Sequence, residues 1–147
     1  MSSNFLEIKN VSKVFRLGGL IGARKLSAVD HVNIEIEKGK AKILSIVGES
    51  GSGKTTLARM VLRLIQPSEG EIRVDGLSTS GRLDRAQVKD FRRRVQPIFQ
   101  NPFESLSSRK TVEPYLFATA YNILGAKSKA AAHRAVDEAL VNVGLSA

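Results

Sequence analysis

The chain of 147 residues contains no cysteine and only two histidines. The missing cysteines exclude a disulfide framework, a thiol nucleophile and every cysteine-based zinc or iron–sulfur site. His31 and His133 lie far apart in the sequence, which argues against a histidine-rich metal site. These absences remove thiol chemistry and the common transition-metal centres from the candidate functions.

Long apolar segments are also missing. The N-terminal region carries Glu7 and Lys9 and has no apolar run of the kind found in a signal peptide. The longest uncharged stretch late in the chain, Tyr115–Ala126, is too short to span a bilayer. We therefore expect a cytoplasmic location.

Aromatic residues are scarce, at 5%, although the formal net charge is +9. Six basic residues fall in one stretch: Arg82, Arg85, Lys89, Arg92, Arg93 and Arg94. A nucleic-acid interface of this kind would interleave the charges with stacking aromatics, and only Phe91 is nearby. The pattern favours a solvated face or a protein-docking surface, and no nucleic-acid partner is expected.

Hydrophobic periodicity predicts a mixed α/β region. Phe5–Phe15 alternates loosely, as one or two short strands, and Ala28–Glu37 alternates strictly, as a half-buried antiparallel strand. Ile43–Val47 is nearly continuous in apolar residues, which is typical of a strand buried on both faces in a parallel sheet. Thr55–Ile65 has helical spacing, and Glu71–Val74 is a further strand that ends in a turn.

The second half of the chain is predicted to be mostly helical. Asp84–Arg94 is a candidate basic helix, and Val95–Phe99 a candidate strand. Two longer helices are predicted at Val112–Leu124 and Lys129–Val143, the second closed by Gly144.

One motif points to chemistry. Gly48–Thr55 fits the pattern G-x-x-x-x-G-K-[ST], between a predicted buried strand and a predicted helix. The glycines let successive backbone N–H groups face a phosphate, and the helix N-terminus adds a positive dipole. Lys54 is placed to reach the β- and γ-phosphates, the Thr55 hydroxyl to bind Mg²⁺, and Thr56 to approach the α-phosphate. The candidate binding residues are Gly48, Glu49, Ser50, Gly51, Ser52, Gly53, Lys54, Thr55 and Thr56.

The stretch Ile46–Leu57 resembles the Walker A region of ATP-binding-cassette (ABC) transporter ATPases. Ala28–Val32 resembles the family's strand before that region, and Pro67–Ile72 the segment after its helix. Val95–Pro102 resembles the Q-loop, and Ser105–Arg109 its continuation. The likeness covers essentially the whole chain and is nearest to the ATPase subunits of dipeptide and oligopeptide importers.

The resemblance implies two further roles. Gln100 matches the Q-loop glutamine, whose amide touches Mg²⁺ or the attacking water and is counted with Lys54 among the catalytic residues. Phe15 matches the aromatic that stacks on adenine, although a core position beside Val14 is the alternative. Asn101 stands where the importers usually have Asp, and Ser107-Ser108 where they usually have Asn-Pro, which puts details of coupling in doubt.

Several family motifs have no match. The Asp-Glu pair that ends an apolar strand in the family is absent, because Asp137-Glu138 lies on an alanine-rich predicted helix. The Leu-Ser-Gly-Gly-Gln signature and the switch histidine are missing too. We therefore expect weak ATP binding and little turnover. A parallel sheet buried on both faces needs neighbouring strands, and the sequence offers few beyond Ile43–Val47 and Val95–Phe99, so the isolated chain is expected to be marginally stable or self-associating.

The resemblance implies an incomplete P-loop NTPase core of α/β class, with an antiparallel β region and the start of a helical subdomain. Residues 1–102 would form the nucleotide-binding core, and 103–147 the beginning of the helical subdomain, truncated before the signature motif. The implied function is ATP binding in a peptide importer, with ATP and Mg²⁺ as cofactors. The implied partners are transmembrane permease subunits at the inner membrane face and a second ATPase subunit. The alternative is a nucleotide-regulated module outside transport, such as a nucleic-acid-associated ABC protein.

Overall fold

A computed structural model describes residues 3–18, 24–39, 41–98, 100 and 111–145. The chain divides into two compact units, Met1–Asp84 and Arg85–Ala147. Among the described residues, the first unit contains a sheet and one helix, and the second contains helices.

The sheet of the first unit has four strands in the order β2-β1-β3-β4, and every pair is antiparallel. Strands β1 (Asn4–Leu17) and β2 (Arg24–Glu37) form a long hairpin. Strands β3 (Glu69–Val74) and β4 (Leu77–Ser78) follow on the other side of β1. The alternating patterns in the sequence predicted β1, β2 and β3, and the structure confirms them.

Asn10 interrupts strand β1 with a bulge. Its backbone has a φ of +51°. The pairing register of β1 shifts across this residue both with β2 and with β3. The side-chain oxygen of Asn33 on β2 accepts a 2.8 Å hydrogen bond from the Asn10 N–H, which satisfies the backbone group that the bulge frees. The sheet therefore remains one sheet across the irregularity.

Helix α1 (Lys54–Val61) packs one face on this sheet. Leu57 and Met60 are buried against Ile8, Val11 and Ile72 from the sheet. Their spacing of three residues places both side chains on the same side of the helix. This contact fixes the N-terminus of α1 relative to β1 and β2.

Helix α1 is shorter than predicted. The expected helix extended to Ile65, but the helix ends at Val61 and Arg63 adopts a φ of +58°. The Arg63 guanidinium donates hydrogen bonds to the carbonyl oxygens of Thr79 (3.1 Å) and Gly81 (2.8 Å). These contacts compensate for the left-handed backbone, and periodicity alone could not reveal them.

The prediction of a buried strand at Ile43–Val47 is wrong, and the described part of the predicted strand Val95–Phe99 is not a strand either. Residues 41–49 form no regular secondary structure, and Ile43 and Val47 are 98% and 88% exposed. Residues 95–98 are likewise irregular, with Ile98 fully exposed, and Phe99 lies outside the described residues. A strand in the interior of a sheet needs a hydrogen-bonded neighbouring strand, and within the described ranges neither segment has one.

The second unit contains helices α2 (Arg85–Arg94), α3 (Glu113–Thr119) and α4 (Lys129–Asn142). The helix predicted at Val112–Leu124 is α-helical only over α3. Its last part, Ala120–Leu124, is a π-helical turn, which differs in type from the prediction. Arg93 on α2 donates a 2.6 Å hydrogen bond to the Ile123 carbonyl oxygen of that turn. None of the helices in the described ranges combines the length and apolar character needed to cross a bilayer.

Candidate functional site

The loop before helix α1 is shaped by its glycines. Gly51 and Gly53 have φ values of +83° and +90°, a region in which side-chain-bearing residues are strained. A Cβ on Gly53 would also collide with the Ala28 carbonyl oxygen on β2, whereas one on Gly51 would meet nothing within 4 Å. Gly53 therefore allows the loop to approach strand β2 closely.

The Lys54 ammonium is held at the centre of this loop. It donates hydrogen bonds to the carbonyl oxygens of Gly48 (2.7 Å) and Glu49 (2.6 Å), and lies 3.3 Å from the Ser52 hydroxyl. The Ser52 N–H in turn donates to the Glu49 carbonyl at 3.2 Å. A positive charge is thus fixed where the loop curls, beside the first turn of α1.

A cavity of about 230 Å³ opens beside the loop. It is lined by residues of the loop and α1, and by Phe15, Leu26 and Ala28 from strands β1 and β2. The residues from the loop and helix are Gly51, Ser52, Gly53, Lys54, Thr55 and Thr56. The predicted phosphate-binding residues and the predicted aromatic therefore border the same cavity.

The lining residues from the loop and α1 differ in chemistry from those on the strands. The first turn of α1 offers N–H groups that no intrahelical acceptor satisfies, and the helix dipole is positive there. Lys54 adds a full charge, and Thr55 and Thr56 add hydroxyl groups. The strands add Phe15 and Leu26 to the lining, which are paired across β1 and β2. The cavity suits a ligand with an anionic end and a flat apolar end.

Sequence reasoning missed Leu26 and Ala28. Both lie on the strand paired with the one that carries Phe15, and Leu26 is directly opposite Phe15. The pairing of the two strands would have identified Leu26 as the neighbour of Phe15. The sequence of the loop between the strands does not predict which residues pair.

A larger cavity, of about 520 Å³, adjoins the same loop and shares Ala28, Ser52, Gly53 and Lys54 with the smaller one. Its lining includes Val32 and Ile34 on β2, Ile46 and Val47 before the loop, and Leu57 on α1. Most of its lining surface is apolar, but Gly48 and Lys54 of the phosphate-binding motif border it as well.

Gln100 belongs to the second compact unit and is exposed there. Asn101, Ser107 and Ser108 lie outside the described residues. The predicted role of Gln100 at the phosphate end of the ligand stays a prediction.

The family model described as ABC transporter matches residues 29–147. The chain belongs to the ABC transporter family. The matched range contains the loop, Lys54 and Gln100, but it begins after Phe15. The resemblance found in the sequence is thereby confirmed.

Curated relatives are transport proteins of this family. The chain is 37% identical to the oligopeptide transport ATP-binding protein AmiF of Streptococcus pneumoniae, over all of this chain and 46% of AmiF. It is 36% identical to AppF of Bacillus subtilis, which has the same description, over 95% of this chain and 43% of AppF. The chain thus spans about half the length of these relatives.

A solved structure confirms the fold class. The dimeric ATP-binding cassette MJ0796, in a post-hydrolysis state bound to ADP and Pi, is similar with a TM-score of 0.73 and 29% identity. The match covers 96% of this chain and 58% of the cassette. The P-loop NTPase fold of the ABC type is therefore shown, over part of a cassette's length.

Proposed function

We propose that this chain is the nucleotide-binding part of the ATP-binding subunit of an ABC importer for peptides. The observation that carries the proposal is the shared cavity, in which Phe15 faces the same space as Lys54 and the first turn of α1. A nucleoside triphosphate has the two chemical ends that this cavity offers. The descriptions of the AmiF and AppF relatives support oligopeptide transport.

The residues around the cavity have distinct proposed roles. The loop from Gly48 to Gly53 and the first turn of α1 bind phosphate oxygens through backbone N–H groups. Lys54 neutralises the β- and γ-phosphates, and Thr56 donates to the α-phosphate. Phe15 stacks on the adenine ring.

Mg²⁺ fits this arrangement. The Thr55 hydroxyl borders the cavity, and Mg²⁺ prefers oxygen ligands of which phosphates supply several. When bound, the ion neutralises charge on the phosphates. Gln100 is proposed to contact the ion or a water molecule beside it through its amide.

Coupling to transport is the broader part of the proposal. Permease subunits at the inner membrane face are the proposed partners, together with a second ATPase subunit, for which the dimeric MJ0796 cassette gives support. Residues 1–102 are proposed to bind nucleotide, and residues 103–147 to begin the helical subdomain. The isolated chain is proposed to hydrolyse ATP little, because no candidate carboxylate for activating water was found in its sequence.

Calorimetric titration with Mg-ATP tests the binding step. The chain should bind with a Kd between about 1 µM and 1 mM, and Lys54→Ala should abolish binding because the fixed charge is lost. Lys42→Ala is the matched control, since Lys42 is an exposed lysine of the same unit that pairs with Glu37. Equal binding by the wild type and Lys54→Ala would contradict the proposal.

A further inference from the structure

Lys13 makes two contacts that link the Phe15 ring to the rest of the first unit. Its ammonium lies over the ring, 5.3 Å from the ring centroid. The same ammonium donates a 2.6 Å hydrogen bond to the Gln66 carbonyl oxygen, in the segment that follows helix α1. One side chain thus contacts the aromatic wall of the cavity and the segment that leads away from α1.

Further hydrogen bonds fix the same part of strand β1. The Ser68 N–H donates to the Ser12 carbonyl oxygen at 2.8 Å, and the Val14 N–H donates to the Ser68 hydroxyl at 3.1 Å. Strand β1 is therefore attached just before Phe15 to the segment after α1. Since α1 begins at Lys54 beside the loop, these contacts set the spacing between the Phe15 ring and the phosphate-binding loop.

The charge of Lys13 also acts on the ring itself. A cation over an aromatic face is attracted by the ring quadrupole, and the attraction favours one ring orientation over the others. A side chain that is already ordered loses less conformational entropy when a ligand stacks on it. The Gln66 carbonyl holds the ammonium in place, so the orientation does not depend on a freely moving lysine.

We propose that Lys13 is a positioning residue for the base of the nucleotide. It would order the Phe15 ring at the distance from the loop that a nucleoside triphosphate requires. The proposal rests on the proposed function, because it presupposes that a base stacks on Phe15. It assigns to Lys13 a share of the affinity for the base, separate from the affinity for the phosphates.

Paired titrations of the whole chain test the proposal. Mg-ATP and Mg-tripolyphosphate are compared, because the second ligand has the phosphates without the base. In Lys13→Met, the ratio of the ATP Kd to the tripolyphosphate Kd should rise about three- to tenfold. Lys13→Arg keeps a cation over the ring and should leave the ratio within about twofold of the wild type.

Lys25→Met is the matched control. Lys25 is exposed on β2, opposite Arg16, and its loss removes one positive charge from the same end of the sheet. Because a general loss of positive charge weakens both ligands, the ratio should stay unchanged in this variant.

Two results would overturn the role of Lys13 alone. In the first, Lys13→Met weakens both ligands by the same factor, which is the behaviour of a purely structural residue. In the second, the wild type binds ATP no more tightly than tripolyphosphate while Lys54→Ala still abolishes binding, so that the base contributes nothing. Absence of binding by the folded wild type to either ligand would overturn the proposed function and this inference together.

Discussion

At the scale of single residues, Gly51 and Gly53, two of the three glycines in the loop, differ in what they require. Gly51 needs only the backbone freedom of glycine, whereas Gly53 also needs the absence of a Cβ beside the Ala28 carbonyl. Gly51→Ala should lower the free energy of unfolding by about 1 kcal/mol from backbone strain. Gly53→Ala should cost about 1–3 kcal/mol more, because β2 and the loop must move apart.

Chemical denaturation of both variants measures this difference. Gly51→Ala is the control for positive φ without steric conflict. Equal stability of the two variants would contradict the close approach of the loop to β2.

A second prediction at this scale concerns Glu71 on β3. A hydrogen bond from Arg73, with a 2.9 Å contact between Nε and Oε2, and a further hydrogen bond from Ser78 hold the pKa of the Glu71 carboxyl below its ordinary value of 4.5. A depressed pKa in the folded state stabilises the fold above pH 4.5, and this contribution is lost as the pH falls through the folded-state value.

Unfolding of Glu71→Gln as a function of pH checks the effect. The variant should be less stable than the wild type near neutral pH, and the difference should shrink as the solution is acidified below pH 4.5. The effect should be small, because solvent screens both partly exposed side chains. Glu69→Gln, on the same strand, is the control, and a difference that grows on acidification would contradict the assignment.

At the scale of secondary-structure elements, helix α4 depends on Ser128, the residue that caps its N-terminus. The Ser128 hydroxyl accepts a 3.1 Å hydrogen bond from the Ala131 N–H, which satisfies one of the free donors of the first turn. Ser128→Ala should destabilise the helix by about 1 kcal/mol. Amide hydrogen exchange of the first turn measures the loss.

Ser128→Asp retains an acceptor at the same place and should preserve the protection of that turn. Unchanged exchange in Ser128→Ala would show that the cap contributes nothing to α4.

The elements that the sequence predicted correctly are those that depend on local pattern. Strand β2 alternates over residues that pair with β1, and the Asp75-Gly76 turn links β3 to β4. Ile43–Val47 could not be predicted in this way, because an apolar run becomes a strand only beside a neighbour. The end of α1 at Val61 depends on contacts of Arg63 with distant carbonyls, which no periodicity records.

In the candidate site, too, the features that follow from local sequence were predicted and a contact between distant residues was not. The spacing of Gly48–Thr55 identified the loop, since the motif itself carries the geometry of a phosphate site. The resemblance placed Phe15 at the site, and its position on the cavity wall agrees with that expectation. The Lys13 contact with Gln66 went unpredicted, because it joins residues 53 positions apart in the chain.

At the scale of the whole molecule, exposed apolar side chains are the main consequence of the irregular segments. Ile43 and Val47 lie close together in the sequence and are almost fully exposed. Apolar surface of this kind promotes association. The isolated chain should therefore form larger species as its concentration rises, which sedimentation velocity would measure.

Ile43→Lys should reduce this association without lowering stability, because the side chain is already in solvent. Val143→Lys is the control, since Val143 is also 71% exposed but lies after α4 in the second unit. A monomer at every concentration would contradict the prediction.

The loop from Gly48 to Gly53, the first turn of α1 and the Phe15 ring are proposed to bind a nucleotide together. Nuclear magnetic resonance of the ¹⁵N-labelled chain, titrated with Mg-ATP, locates the binding directly. Binding at this site should produce saturable shifts of the amides from Gly51 to Thr56, with further shifts at Phe15 and Leu26. Shifts confined to the basic helix α2, with the loop amides unchanged, would contradict it.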